Sequence, residues 1–83
     1  MPRYVVEREF PQPLTDEEMN ETARKLDECL PAHNAVWKGS VVSIDRTRMI
    51  CQFDAPGSEE VKNANRSAGA VFKRVWEAEP HDP

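Results

Sequence analysis

The chain has 83 residues, of which 39% are hydrophobic and 31% charged, and its formal net charge is −4. A chain this short buries only about 60% of the surface that its unfolded form exposes, so it supports a single domain over residues 1–83 and excludes a second core. Its 15 acidic residues outnumber 11 scattered basic ones, which argues against nucleic acid as a partner, because phosphate binding needs clustered Lys and Arg.

The first residues lack the features of a targeting or membrane segment. The chain begins MPRY and continues directly into a strand pattern, with no apolar stretch long enough for a signal peptide or a bilayer span. We therefore expect a cytoplasmic protein with no membrane partner. In that compartment Cys29 and Cys51 are expected to be reduced thiols.

A strand followed by a helix is predicted for the first third of the chain. Arg3 to Phe10 is rich in β-branched and aromatic residues and alternates in polarity, which is typical of a strand. Thr15 and Glu18 form the pattern of a capping box, so a helix is expected from Asp16 to Cys29. Pro31 is expected to end this helix by disfavouring helical backbone at the residue before it. The helix carries an apolar stripe: Met19, Ala23, Leu26 and Leu30.

Two further strands are predicted to form a hairpin. The segment from Ala35 to Ile44 has the pattern of a strand in which Gly39 marks a bulge or a close approach of another group. A turn at residues 45–47 leads into a strand from Arg48 to Asp54. In that strand Met49, Cys51 and Phe53 share one face.

The last third of the chain predicts a second helix and a final strand. Ser58 is a suitable N-cap for a helix that runs to Ala68, and Gly69 is suited to the left-handed position that follows a helix. Val71 to Ala78 is then expected to be a strand, with residues 79–83 as a frayed tail. Within this strand, Phe72 and Trp76 are expected on one side and Val71 and Val75 on the other.

The order of these elements predicts an α+β fold. A βαββαβ order is that of the ferredoxin-like sandwich, a four-stranded antiparallel sheet with two helices on one face. Several strands are apolar on both sides, as Val5 opposite Val6 and Ile50 opposite Cys51 illustrate. Because two helices cover one side only, we expect a homodimer that packs through the helix-free face or closes a shared barrel.

The sequence also resembles a family of small bacterial ferredoxin-like proteins of unknown function that includes a nickel-binding dimer. The resemblance rests on these residues in order: Met1 to Arg8, Trp37, Ser40, Asp45-Arg46, Cys51, Asp54-Ala55-Pro56, Arg66 and Ala68-Gly69. It implies a homodimer and, in some members, a transition metal such as nickel.

Two positions depart from that family pattern. Members often have a histidine two residues after the tryptophan and another four residues before the glycine, and here those positions are Gly39 and Asn65. Neither residue type replaces an imidazole as a nickel ligand. We therefore expect no resident cofactor and assign no metal ligand, with nickel implied by the resemblance alone.

Other metal ligands are sparse. The remaining candidates are Cys29, His33, Cys51 and His81, which form neither a CxxC nor an HxxxH pattern. Cys51 is interpreted as a small buried residue and His33 as a loop residue. A shared site remains open if dimerisation brings donors together from two chains.

Two functions remain after these exclusions. The first, which we favour, is a dimeric accessory protein, not an enzyme, that binds a small ligand or a metal. Its ligand-binding candidates are Trp37, Ser40, Cys51, Asn65 and Trp76.

The second function is a cofactor-free dimeric α/β-barrel isomerase or oxygenase that acts on a small apolar substrate. Glu7 is its candidate catalytic base, since burial in a central strand would raise the pKa of that carboxyl. The two tryptophans would form the walls of its cavity. The competing interpretation is that Glu7 pairs across the sheet with one of four basic residues: Arg8, Arg48, Lys73 or Arg74.

Overall fold

The computed structural model describes residues 1–83 and contains four strands and two α-helices in the predicted order. The elements are β1 (Arg3–Glu9), α1 (Asp16–Cys29), β2 (Val36–Val42), β3 (Arg48–Asp54), α2 (Ser58–Ser67) and β4 (Arg74–Ala78). The strands are antiparallel and lie in the order β2-β3-β1-β4. The ferredoxin-like fold predicted from the sequence is therefore confirmed.

The core lies between one side of the sheet and the two helices. Val6 of β1 and Phe53 of β3 are fully buried there, together with Val61 and Ala64 of α2. Leu26 of α1 joins the same cluster. Since side chains alternate along a strand, the residues on either side of Val6 and of Phe53 in the chain point away from the helices.

That opposite side is the helix-free face. We define it by these residues of the four strands: Arg3, Val5, Glu7, Val36, Val41, Ile50, Gln52, Asp54, Arg74 and Trp76. Val5 is only 6% exposed although no helix covers it, and its register neighbours are Gln52 and Trp76. On the two central strands only Val5 and Ile50 of this face are apolar, and its exposed apolar residues, Val36, Val41 and Trp76, lie on the edge strands β2 and β4.

Helix α1 begins as predicted, and it ends at the predicted residue for a different reason. The Glu18 amide donates to the Thr15 hydroxyl and the Thr15 amide donates to the Glu18 carboxylate, both at 3.1 Å. Leu30, however, keeps helical backbone angles of −57° and −44°. Pro31 instead occupies the start of a 3₁₀ turn over Leu30–His33, where its missing N–H costs little.

The predicted bulge in β2 is confirmed at Gly39. The register with β3 shifts between Trp37 and Gly39, and Gly39 has a φ of +148°, which L side chains rarely adopt. Strand β2 stops at Val42, two residues before the predicted end at Ile44, because Ser43 and Ile44 belong to the turn.

The turn between β2 and β3 is held to the segment before α1. Asp45 accepts hydrogen bonds from the Ser43 and Thr47 hydroxyls, both at 2.7 Å, and from the Thr47 amide at 3.0 Å. These bonds lower the pKa of Asp45 to about 2. The Leu14 amide donates to the Arg46 carbonyl at 2.9 Å, so the turn and the start of α1 lie side by side.

The structure differs from the prediction at three boundaries of helix α2 and strand β4. The N-cap of α2 is Gly57, and Ser58 is the first helical residue rather than the cap. The helix ends one residue early, with Ala68 as C-cap, and Gly69 takes the predicted left-handed conformation at φ +68°. Strand β4 begins at Arg74 instead of Val71.

The late start of β4 changes which side Phe72 occupies. Phe72 and Val75 both pack against the core, whereas Val71 and Trp76 are exposed. The expected pairing of Phe72 with Trp76 on one side is therefore wrong. Alternation between sides applies only within a paired strand, and Phe72 lies before it.

No helix in the protein has both the length and the apolar character needed to cross a membrane.

Candidate functional site

A groove of about 710 Å³ lies between α1 and the helix-facing side of the sheet. We call it the α1 groove; 11 of its 19 lining residues are hydrophobic, including Met19, Ala23 and Leu26 of α1 and Val42 and Met49 of the hairpin. Trp37 lines the groove and is 44% exposed although it lies on the helix-facing side of the sheet. The groove forms because α1 leaves the edge strand β2 uncovered, and its walls suit an apolar molecule.

The bulge at Gly39 brings two candidate residues together at this groove. Trp37 and Ser40 are three residues apart, a spacing that would place them on opposite sides of a regular strand. The extra residue of the bulge puts both on the helix-facing side, opposite Phe53 and Cys51 of β3. There the Trp37 indole Nε1 donates to the Ser40 Oγ at 2.9 Å. Trp37, Ser40 and Cys51 all line the α1 groove.

Arg8 also lines the groove, and the sequence did not single it out as a site residue. It is 2% exposed, and its Nη1 donates to the Val71 carbonyl at 3.0 Å. Its Nε and Nη2 are buried without any hydrogen-bond partner. None of the protein's ion pairs includes it. The available signal was its alternation with Tyr4 and Val6, which puts a cation on the core side of a central strand.

Asn65 lies apart from the other candidates. It is fully buried in α2, where its Nδ2 donates to the Val61 carbonyl at 2.8 Å and its Oδ1 has no partner. Asn65 is not among the residues that line the α1 groove. Its side chain therefore contributes to the packing of α2 instead of to the same site as Trp37.

Glu7 and Trp76 occupy the helix-free face. The Trp76 Nε1 donates to the Glu7 Oε2 at 2.7 Å, and the Arg74 Nε lies 3.6 Å from the same oxygen. The Glu7 side chain keeps one third of its accessible surface, at 33%. The two tryptophans are on opposite sides of the sheet, so they do not line one cavity within a chain, contrary to the expectation for the enzyme.

The residues of one chain do not fit a nickel site. No group of three or more His, Cys, Asp or Glu side chains is close enough to hold a metal ion. Gly39 offers no donor side chain, and Asn65 offers only an amide oxygen buried within α2, which is a poor nickel ligand. Cys51 is buried in the core and Cys29 packs against it, both as free thiols.

Comparisons with known proteins agree with this fold. In the crystal structure of SCO4226 from Streptomyces coelicolor A3(2), the fold is the same: the TM-score is 0.87 at 11% identity, covering 96% of this chain and 99% of that one. Among curated proteins, none matches the chain. The family described as nickel responsive protein SCO4226-like matches residues 4–78. The chain therefore belongs to the SCO4226-like family of nickel-responsive proteins, as the resemblance predicted.

Proposed function

We propose that the protein is a non-enzymatic accessory protein that binds a small, mainly apolar organic molecule in the α1 groove. The observation that supports this most is the groove itself, whose volume of about 710 Å³ falls within the range of ligand pockets, about 300–1,000 Å³. Apolar walls with a few polar groups are the usual lining of such pockets. The cytoplasmic location expected from the sequence stays a prediction.

Direct nickel binding is the second candidate, and family membership favours it. It would need donors from two chains, since one chain lacks three convergent ligands. A dimer through the helix-free face would not supply them at Cys51, because that side chain faces the helices. The donor set thus favours an organic ligand over a metal in this member.

The enzyme alternative has less support. A catalytic base needs a site that excludes water, whereas Glu7 is partly exposed and already engaged by Trp76 and Arg74. An isomerase or oxygenase would therefore need a second chain to enclose Glu7. The ligand-binding proposal needs no such change, because the α1 groove exists within one chain.

Binding in the groove is tested with N-phenyl-1-naphthylamine, a neutral apolar dye that becomes fluorescent in apolar sites. We expect saturable binding of one dye per chain, with energy transfer from Trp37 at the groove edge. The variant Ala23→Phe fills the groove from α1 and should weaken binding about tenfold or more, the effect of losing more than 1.4 kcal/mol.

The matched control is Ala32→Phe, which adds the same ring at an exposed position outside the groove. This variant should bind the dye as the parent does. Equal loss in both variants, or no saturable binding at all, would refute the groove as a ligand site. Retention of one nickel ion per chain in native mass spectrometry, with no dye bound, would favour the second candidate instead.

We also propose that the protein is a homodimer, with the helix-free face of one chain packed on that of a second. Trp76 and Val41 are 45% and 67% exposed on this face, Trp76 opposite the buried Val5 and Val41 opposite Ile50. The charges on it are already paired within the chain, since the Arg3 Nε lies 2.6 Å from the Asp54 carboxylate. Packing two such faces together would bury apolar surface without leaving a buried charge unpaired.

Sedimentation at micromolar concentration tests the dimer. We expect a particle of twice the 9.5 kDa chain mass. The variant Val41→Glu should dissociate it, because it places like charges from both chains at the contact. The control Ile44→Glu changes a fully exposed residue of the turn and should leave the dimer intact. A parent protein that sediments as a single chain would rule out the dimer.

A further inference from the structure

We infer that the ligand of the α1 groove is an apolar monocarboxylate whose carboxylate is bound by Arg8. This inference rests on the proposed function, because it names the class of molecule that the groove takes. It starts from a buried cation that nothing in the chain neutralises.

Arg8 presents an unused hydrogen-bonding edge. Its Nη1 is occupied by the Val71 carbonyl, which leaves Nε and Nη2 without a partner. These two nitrogens lie on one edge of the planar guanidinium, where their N–H groups point in parallel. A carboxylate accepts two parallel N–H bonds from such an edge, which is the strongest common arrangement for arginine.

Burial makes this edge a strong anchor for an anion. Arg8 is 2% exposed and lines the α1 groove, and its Nε and Nη2 are closed to solvent, so a carboxylate reaches them only when the neighbouring side chains move aside. A buried charge without a partner is costly, and an opposite charge that enters the site relieves that cost. Water would relieve it only in part, whereas a carboxylate supplies both acceptors and the counter-charge.

The other lining residues restrict the chemistry of the ligand beyond its carboxylate. Phe10, Leu26, Val42, Met49 and Ala70 all line the same groove as Arg8. These side chains offer no hydrogen bond, so the part of the ligand that contacts them is hydrocarbon, either an alkyl chain or an aromatic ring.

Acidic residues at the rim of the groove limit the ligand to one negative charge. Glu17, Glu18 and Glu21 of α1 line the groove and are exposed to solvent. Glu18 is bonded to the Thr15 amide and Glu21 to Arg24. Exposed charges are screened by water and salt, so they tolerate a single carboxylate held at Arg8. A second negative group at the rim itself would lie within the screening length of Glu17 and Glu18 and would be repelled.

The test compares decanoate with 1-decanol, which share a ten-carbon chain and differ in the head group. Both displace bound N-phenyl-1-naphthylamine, at concentrations below micelle formation and at pH 8. We expect decanoate to bind about tenfold more tightly or better than 1-decanol, as hydrogen bonds to a charged group imply. In Arg8→Met this preference should disappear, while the affinity for 1-decanol stays within about twofold.

Two further variants test whether the preference for the carboxylate depends on the shape and position of the Arg8 side chain or only on its positive charge. Arg8→Lys keeps the charge but lacks the two-pronged edge, so it should retain only part of the preference. Arg48→Met removes an exposed arginine that does not line the groove and should keep the full preference. If Arg8→Met does not fold, Arg8→Lys alone decides: an undiminished preference would overturn the two-pronged contact.

The outcomes distinguish this inference from the proposed function. Equal affinity of the parent protein for decanoate and 1-decanol would overturn the carboxylate assignment and leave the groove a site for neutral apolar molecules. A preference for decanoate that survives in Arg8→Met would overturn the assignment to Arg8. Absence of dye binding in the parent protein would refute the proposed function itself.

Discussion

Replacement of Arg8 by methionine should raise the free energy of unfolding of the ligand-free protein by about 1–4 kcal/mol, the range found when buried ion pairs are replaced by well-packed apolar residues of similar volume. The guanidinium is 2% exposed, and two of its nitrogens have no partner. Methionine avoids that desolvation cost and fits irregular spaces. The variant also loses the hydrogen bond from Arg8 to the Val71 carbonyl, worth about 0.5–1.5 kcal/mol, which offsets part of this gain.

Urea denaturation followed by circular dichroism measures this effect. The protein concentration must be the same for both proteins, since dimer formation makes apparent stability concentration-dependent. The control Arg48→Met, at an exposed position, should change the free energy of unfolding by no more than about 0.5 kcal/mol. A comparable loss of stability in Arg8→Met would mean that the guanidinium is well solvated or paired in the free protein.

If Arg8→Met is both more stable than the parent protein and without a preference for the carboxylate, the two results together bear on why the arginine is present. Residues that are retained at a cost to stability are commonly those on which function depends. Arg8 would then be such a residue, present for the ligand and not for the fold.

Truncation of Phe53 to alanine should lower the free energy of unfolding by about 3–5 kcal/mol, as is typical when a buried aromatic ring is removed. Phe53 is 0% exposed and lies on β3, one of the two central strands, within the main hydrophobic cluster. A domain of this size has only about 5–15 kcal/mol of total stability. The variant should therefore be partly unfolded at 37 °C.

Thermal and urea denaturation of the Phe53→Ala variant measure the loss. Ile44→Ala is the matched control: Ile44 is 100% exposed in the turn between β2 and β3, so its truncation should cost no more than about 0.5 kcal/mol. A loss below about 1 kcal/mol for Phe53→Ala would show that the core does not close around this ring.

Much of the fold was predictable because its signals are local. The capping box at Thr15 and Glu18 starts α1 at the predicted residue. The turn at residues 45–47 and the apolar face that follows it predicted the bounds of β3, and Gly69 took the left-handed conformation expected after a helix. Each of these signals acts between residues close together in the chain.

The errors have non-local causes. Strand β4 begins at Arg74 because pairing with β1 decides where a ladder starts, and the Lys73 amide donates to the Glu7 carbonyl just before it, at 2.7 Å. Leu30 remains helical because Pro31 is accommodated by a 3₁₀ turn. Propensity at a single residue does not reveal either arrangement.

The candidate site divides in the same way. Residue type alone pointed to Trp37, Ser40 and Cys51. They line one groove only because the bulge in β2 places Trp37 and Ser40 on the same side of the sheet. Glu7 and Trp76 were also candidates by residue type, but they lie on the other side of the sheet. Whether these residues act in ligand binding stays a prediction that dye binding and its variants test.

Chemistry acting over a few residues, through caps, turns and alternating polarity, was enough to specify the order and type of the elements and so the ferredoxin-like fold. The packing of distant segments was needed to create the α1 groove and to leave Arg8 inside it without a counter-charge. Whether a side chain is buried, and whether it finds a hydrogen-bond partner, depends on all the residues packed around it, including those distant in the chain. For that reason, the residues next to Arg8 in the chain do not reveal either property.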